Sequence, residues 1–136
     1  MIVCDRQDEL GTWLAIRSGG SYVPGDGQYI GLERNGKIVA VAGFDRYNKA
    51  SVCGHIAVDG SMMEKEWMRV CFDYVFNQLK VHKLIGIVAS DNEKAIKLDK
   101  HFGYVQEAVL KGCSPNGADT ILFSMTKEQC RILNKR

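Results

Sequence analysis

Three sets of residues in this sequence combine a reactive type with a spacing that could do chemistry. His55 stands in an apolar run, and histidine is the side chain best suited to take a proton from an ammonium group near neutral pH. Ser90 and Asp91 follow another apolar run, where a hydroxyl and a carboxylate could hydrogen-bond a ligand. Basic side chains then recur at helical intervals, and such a row could meet a phosphate group or a nucleic-acid backbone. They are Lys94, Lys97, Lys100 and His101.

Each set also has a purely structural explanation. A histidine on a strand is often satisfied by its neighbours, and residue type alone favours this interpretation of His55. Ser90 and Asp91 are residue types that cap helices, a role that is compatible with ligand binding. A row of basic side chains is typical of a solvated helix face. The choice between the two explanations depends on the elements that position these residues.

Apolar periodicity predicts the element order β-α-βββ-α-β-α-β-β, with room for a final helix. Asn35-Gly36 is a strong hairpin signal, because both turn positions tolerate positive φ. Ser90 and Glu93 have the spacing of a capping box at the start of a helix. Strands are predicted over 1–4, 29–34, 37–44, 50–58, 84–89, 104–110 and 120–126, and helices over 8–18, 61–79 and from 90 to the residues before Gly103.

The order of elements constrains the topology. A strand, a helix and a strand follow one another between Ala50 and Ala89, which predicts a right-handed crossover and one parallel strand pair. The run Leu84–Ala89 is almost entirely apolar, as in a strand that is covered on both faces. The predicted class is therefore α/β or α+β, with helices on both faces of a mixed sheet and residues 1–136 as a single domain.

Composition places the chain among ordinary globular proteins. The 136 residues are 46% hydrophobic and 25% charged, which excludes a disordered tail, a collagen-like fibre and a disulfide scaffold. The net charge of +2 neither requires nor excludes a nucleic-acid partner. Five scattered cysteines, no recognisable targeting segment and no long apolar stretch predict a cytoplasmic protein without a membrane partner. The spacing of the cysteines indicates no metal site.

Three segments in this order resemble the GNAT N-acetyltransferase superfamily. Residues 50–60, with the sequence ASVCGHIAVDG, resemble the fourth strand of the family and its exit. Residues 88–98, VASDNEKAIKL, are similar to its fifth strand, a helix-opening asparagine and an Asn-x-x-Ala-Ile run. Residues 101–105, HFGYV, followed by Glu107, resemble its corner into the sixth strand. Within the family the resemblance is to the alanine acetyltransferases that modify ribosomal proteins.

This resemblance implies a mostly antiparallel sheet in which the fourth and fifth strands splay apart around acetyl-CoA, the acetyl donor. Ile56, Ala57 and Val58 would then pair with the pantetheine arm like an added strand. A backbone N–H near Val58 would polarise the thioester carbonyl. Asn92 matches the asparagine that contacts the pantetheine arm in the family.

The resemblance also implies a pyrophosphate site at the start of the helix after the fourth strand, where free N–H groups favour anions. Ser61, Lys65 and Arg69 are the candidate contacts there. The glycines of the family's loop are missing, and two carboxylates, Glu64 and Glu66, occupy the stretch instead. Glu64 and Glu66 are therefore both expected to weaken the binding of CoA if they face its phosphates, and Glu66→Gly is expected to tighten it.

Proton transfer is the second departure from the family pattern. Asp99 stands where the family carries a tyrosine acid. An aspartate has an ordinary pKa of about 3.9, so Asp99 could serve as the acid only if burial raised its pKa by several units. Lys97 and Lys100 should oppose such a rise by favouring the charged form, so Asp99 is expected not to be the acid. The hydroxyl of Ser90, or solvent, is then the expected proton donor to the thiolate, and His55 is the candidate base.

The leading functional hypothesis is acetyl transfer from acetyl-CoA to a primary amine by direct attack. The short segment Gly19–Gly27 suggests an open acceptor site that suits a protein terminus or another macromolecule. Two alternatives stay open, which are a non-catalytic GNAT-like binding module and a related enzyme that modifies nucleic acid. A monomer and a homodimer are both compatible with the sequence.

Overall fold

The computed structural model describes residues 1–60 and 64–134, and it confirms the predicted order of elements. A π-helical turn, Tyr74–Gln78, extends the second helix, and a 3-10 turn, Lys127–Gln129, precedes the last one. The strands are β1 Ile2–Val3, β2 Gly27–Arg34, β3 Lys37–Asp45, β4 Ser51–Val58, β5 Lys83–Ala89, β6 Val105–Leu110 and β7 Thr120–Met125. The helices are α1 Gln7–Ser18, α2 Lys65–Asp73, α3 Glu93–Phe102 and α4 Arg131–Asn134.

The seven strands form one mixed sheet in the order β1-β2-β3-β4-β5-β7-β6. All neighbouring strands are antiparallel except β4 and β5, which are parallel. The hairpin between β2 and β3 turns at Asn35 and Gly36, whose φ values are 53° and 78°. This is the positive-φ turn that the Asn-Gly pair predicts.

The parallel pair β4–β5 is short, because it extends only from Ser51 opposite Lys83 to Cys53 opposite Ile85. Beyond Cys53, β4 continues to Val58 alongside β3. The two strands therefore separate in the middle of the sheet, and the splayed pair that the family resemblance implies is confirmed.

Helices pack on both faces of the sheet, as predicted. Alternate residues of β3 belong to different apolar clusters, since Val41 packs with Leu10 and Leu14 of α1. Ala40 and Ala42 belong to the larger cluster with α2 and α3 on the opposite face. The indole of Trp67 on α2 is fully buried there and donates a hydrogen bond to the carbonyl of Ile30, with an N–O distance of 3.2 Å.

The prediction that Leu84–Ala89 is covered on both faces is wrong. Leu84 and Val88 are buried on the α2 and α3 side, whereas Ile87 on the other face is 48% exposed. The reason is that α1 packs on β2, β3 and β4 and does not extend over β5. Within residues 1–60 and 64–134, no helix is long and apolar enough to cross a membrane.

Candidate active site

A cleft of about 1250 Å³ opens where β4 and β5 separate. It is large enough for an extended ligand, since drug-sized pockets occupy roughly 300–1,000 Å³. Strand β4 lines it from Gly54 to Val58, and β5 from Gly86 to Ala89. Helices α2 and α3 and the loop between β6 and β7 form much of the remaining wall.

Among the described residues, no strand pairs with the cleft-facing edge of β4 beyond Cys53. The N–H of Asp59 donates to the carbonyl of Val39 at 2.8 Å, so the backbone of Asp59 is directed to β3. Backbone groups alternate in direction along a strand, and the β3–β4 register is continuous through Val58. The N–H and C=O groups of Ile56 and Val58 therefore point into the cleft, while those of Ala57 face β3.

Asn92 lies at the mouth of the cleft and caps α3. Its side-chain oxygen accepts a hydrogen bond from the N–H of Ala95 at 3.2 Å. Because one amide oxygen makes this cap, the two N–H groups of the side chain stay available to a ligand. The structural and ligand-binding interpretations of this residue are thus compatible.

Ser90 and Asp91 are held by other contacts. The N–H of Ser90 donates to the carbonyl of Asp119 at 2.8 Å, and its exposed side chain is not part of the cleft wall. The carboxylate of Asp91 accepts a hydrogen bond from the side chain of Asn116 at 2.7 Å. This position does not favour Ser90 as the proton donor that the sequence suggests.

Asp99 occupies the floor of the cleft. It is 8% exposed, and burial raises the pKa of its carboxyl from 3.8 to about 7. The expectation that Lys97 and Lys100 hold the carboxyl in its charged form is therefore wrong. Its neighbours along the chain, Lys97 and Lys100, are exposed on the surface of α3, whereas the carboxyl turns inward and loses water.

His55 lines the cleft from the other face of the sheet. Its Nε2 atom lies 2.9 Å from the Oδ1 atom of Asp45. A carboxylate only accepts hydrogen bonds, so Nε2 is the donor in this contact, and in a neutral ring Nδ1 is then the nitrogen with the lone pair. His55 is opposite Gly43, on the face that α1 covers, while Asp99 lies over Gly86 on the α3 face. The cleft is therefore lined by a titratable side chain on each face of the sheet, His55 on one and Asp99 on the other.

The start of α2 differs from the predicted phosphate site. Glu64 is the N-cap, and its carboxylate accepts a hydrogen bond from the N–H of Glu66 at 3.0 Å. Lys65, Glu66 and Arg69 are exposed and do not line the cleft. Ser61, the remaining predicted contact, lies outside the described residues.

Basic side chains reach the cleft from α3 instead. Lys94 and Lys97 are part of its wall, whereas Lys100 and His101 are not. The predicted basic row is therefore split between two surfaces of the helix. Lys94 and Lys97 border the cleft, and Lys100 and His101 lie on the solvated surface that the spacing suggests.

Three residues of this site escape reasoning on the sequence. Gly86 interrupts an apolar strand, and a strand glycine is a recognised sign of close approach by another group. Asp45 meets His55 only because the register of β3 and β4 places them diagonally on one face. Tyr104, which lines the cleft beside Asp99, follows the corner at Gly103 and carries no local signal of its position.

Comparison with known proteins agrees with this architecture. Mutant forms of the spermidine/spermine N-acetyltransferase from Vibrio cholerae superimpose with a TM-score of 0.77 at 18% identity, covering 99% of this chain and 98% of that one. The ribosomal-protein-S5-alanine acetyltransferase from Vibrio fischeri gives 0.65 at 22% identity, covering 76% and 63%. A probable acetyltransferase gives 0.65 at 18% identity, covering 76% and 62%. At these identities the similarity concerns the fold.

The chain spans slightly less than two thirds of the length of the last two of these proteins. No curated protein matches the sequence. The family model described as an acetyltransferase (GNAT) domain matches residues 3–121, which is most of the chain. The splayed parallel pair, the cleft between its strands and this match lead to one conclusion: the chain belongs to the GNAT acetyltransferases, a family of acyl-transferring enzymes.

Proposed function

We propose that this protein transfers an acetyl group from acetyl-CoA to a primary amine. The observation that carries the proposal is the unpaired edge of β4 in a cleft that has His55 on one face and Asp99 on the other. An added extended group can pair with such an edge through backbone hydrogen bonds. The two side chains can exchange protons with whatever reacts between them.

The described residues fit the pantetheine arm of acetyl-CoA better than its pyrophosphate. The backbone groups of Ile56 and Val58 would pair with the amides of the arm, with Ala57 between them, and the side chain of Asn92 would donate to it. Lys94 is placed to attract the phosphates. When bound, acetyl-CoA supplies an acyl group activated as a thioester.

His55 would act as the general base toward the amine. Asp45 holds the Nε2–H group, so the lone pair of Nδ1 can accept a proton from the attacking nitrogen. The carboxylate of Asp45 also stabilises the positive charge that the ring then carries. This division of work is typical of a histidine oriented by an acid.

The proposed acceptor is an amine on a macromolecule or another extended molecule. Only residues 19–26 connect α1 to β2, and this short connection leaves the His55 side of the cleft accessible. The similar folds include proteins named for a ribosomal-protein alanine and for spermidine, and both acceptors are amines. All five cysteines are free thiols, which supports a reducing compartment such as the cytoplasm.

A non-catalytic binding module is the second candidate, and the Glu64 cap at the start of α2 is the observation that favours it. Thermal melting with acetyl-CoA, CoA and dephospho-CoA separates the two functions. A ligand at one hundred times its Kd stabilises a protein by about 2.7 kcal/mol, so acetyl-CoA should raise the melting temperature clearly. The absence of a shift with every one of these ligands at millimolar concentration would support the binding module.

Replacing His55 tests the catalytic part of the proposal. In His55→Gln we expect acetyl transfer to a peptide amine or a polyamine, followed by mass spectrometry, to fall at least a hundredfold, because general-base catalysis contributes about 10²–10⁴. Binding of acetyl-CoA should persist. His82→Gln is the matched control, since His82 is exposed and does not line the cleft. Equal turnover of His55→Gln and the unmodified protein would refute the role of His55.

A further inference from the structure

The carboxyl of Asp99 is the buried polar group whose presence the fold alone does not explain. Within residues 1–60 and 64–134, its side chain makes no hydrogen bond or ion pair with another protein group. It is nevertheless 8% exposed and faces an apolar part of the cleft. Burying a carboxyl without a partner disfavours folding, so the group is a candidate for a function instead of a structural contact.

The sequence makes room for this carboxyl on β5. Gly86 lies directly beneath it, and a Cβ atom at Gly86 would be 3.3 Å from the Oδ2 atom of Asp99. The same Cβ atom would be 3.4 Å from the ring of Tyr104, which follows the left-handed cap of α3 at Gly103. The absence of a side chain at Gly86 thus leaves room for the carboxyl of Asp99, and the ring of Tyr104 lies beside the same position.

Within residues 1–60 and 64–134, burial alone raises the pKa of Asp99, and no charged neighbour contributes to this shift. Burial raises the pKa of the Tyr104 hydroxyl well above 10, so it stays neutral. Besides Asp99, the titratable groups that act on Tyr104 are the thiols of Cys53 on β4 and Cys130 before α4, and burial raises the pKa of both thiols. The thiol of Cys71 on α2, which lines the same cleft, is likewise neutral because burial raises its pKa. The basic side chains of α3 itself, Lys94, Lys97, Lys100 and His101, are all exposed.

We propose that Asp99 is the catalytic acid, which gives its proton to the departing sulfur while His55 accepts the surplus proton of the amine from the opposite face. This inference rests on the proposed function. The new N–C bond forms as the C–S bond breaks, and the O–H bond of Asp99 breaks as the S–H bond of the free thiol forms. Afterwards His55 loses one proton to solvent and Asp99 regains one, so both side chains return to their starting states.

A titration of the protein without ligand tests the first requirement. With ¹³C-labelled aspartate, NMR should show one carboxyl that titrates near pH 7 in the unmodified protein. We expect this signal to disappear in Asp99→Asn and to persist in Tyr104→Phe. Glu93→Gln, which removes an exposed carboxyl at the start of the same helix, is the matched control. If every aspartate titrates below pH 5, the proposal is overturned.

The rate of transfer tests the second requirement. The transfer rate of the unmodified enzyme should decrease above about pH 7, where Asp99 loses its proton. In Asp99→Asn the rate should be about a hundredfold lower, and this decrease above pH 7, the alkaline limb of the pH profile, should be absent. The defect should shrink with an acetyl thioester of an acidic aryl thiol, which leaves without a proton. Tyr104→Phe should keep the limb. In Gly86→Ala the carboxyl of Asp99 is retained, but the added methyl group crowds it and removes water from it. We therefore expect the alkaline limb of the pH profile to move to higher pH in this variant.

The outcomes distinguish the two proposals. Equal rates for Asp99→Asn and the unmodified enzyme, or a pH limb that Gly86→Ala leaves unchanged, overturn the role of Asp99 alone. A defect of the same size with both thioesters also overturns it, because a merely structural effect does not depend on the leaving group. If the unmodified protein acetylates no amine, the proposed function fails and the role of Asp99 fails with it.

Discussion

At Asp99 the fold holds a carboxyl whose charged form is disfavoured by its surroundings. Its pKa is about 7 in the folded protein against 3.8 for the exposed group. One pKa unit corresponds to about 1.4 kcal/mol, so an ionised Asp99 costs the folded state roughly 4 kcal/mol. A cost of this size is a large part of the stability of a small domain. Active sites commonly carry such a cost, because the same burial that destabilises the charge prepares the acid.

This cost predicts how stability depends on pH. Below about pH 4 both the folded and the unfolded states hold the proton of Asp99. Between about pH 4 and pH 7 only the folded state holds it, so the contribution of Asp99 to stability falls as the pH rises, and above about pH 7 it is constant. We expect urea denaturation to show this fall between about pH 4 and pH 7 and to show a smaller one in Asp99→Asn. Identical slopes for the two proteins would contradict the raised pKa.

At the scale of the element, the N-terminus of α2 carries a negative cap. The carboxylate of Glu64 accepts a hydrogen bond from a helix N–H group that an anionic ligand could otherwise use, and it would repel a phosphate group bound there. The sequence suggests both Glu64 and Glu66 as obstacles, and Glu66 is exposed on the first turn of the helix. Of the two carboxylates, we therefore expect Glu64 to have the larger effect on anion binding, because it caps the helix N-terminus.

The variant Glu64→Ser tests this assignment. Serine keeps a cap oxygen for the helix and removes the charge, so helix stability should be nearly unchanged. The affinity for CoA, measured by calorimetry, should rise by about twofold to fivefold, as charge–dipole effects of about 0.3–1 kcal/mol allow. Glu66→Ser should leave the affinity unchanged. An affinity that rises in Glu66→Ser but not in Glu64→Ser would reverse the assignment.

Most elements of this fold are predictable because their signals are local. Periodicity gives the helices and strands, and Asn35-Gly36 gives the turn between β2 and β3. What the sequence does not give depends on contacts between distant segments. The exposure of Ile87 depends on how far α1 extends, and the pKa of Asp99 depends on which face of α3 is buried. The pairing of His55 with Asp45 likewise requires the strand register.

At the scale of the whole molecule, one apolar core joins two parts of a sheet that share few hydrogen bonds. Ile30 and Phe44 from β2 and β3 belong to the same cluster as Leu84 and Met125 from β5 and β7. Within the part of the chain that the structure describes, the β4–β5 ladder has only three residue pairs. Side-chain packing, more than the backbone ladder, therefore holds the two parts together.

The short ladder has a consequence for hydrogen exchange along β4. The amide hydrogens of Ala57 and Asp59 are directed to β3 and should exchange slowly, whereas those of Ile56 and Val58 face the cleft and should exchange fast. Acetyl-CoA should slow the exchange of the Ile56 and Val58 amides selectively, because it would accept or donate hydrogen bonds at the edge of β4 where β5 no longer pairs with it. Amide exchange followed by NMR would record this alternation, and uniform protection along β4 would contradict it. Bound acetyl-CoA would then link the two parts of the sheet as well as supply the acetyl group, and the protein would be most rigid with the acetyl donor bound.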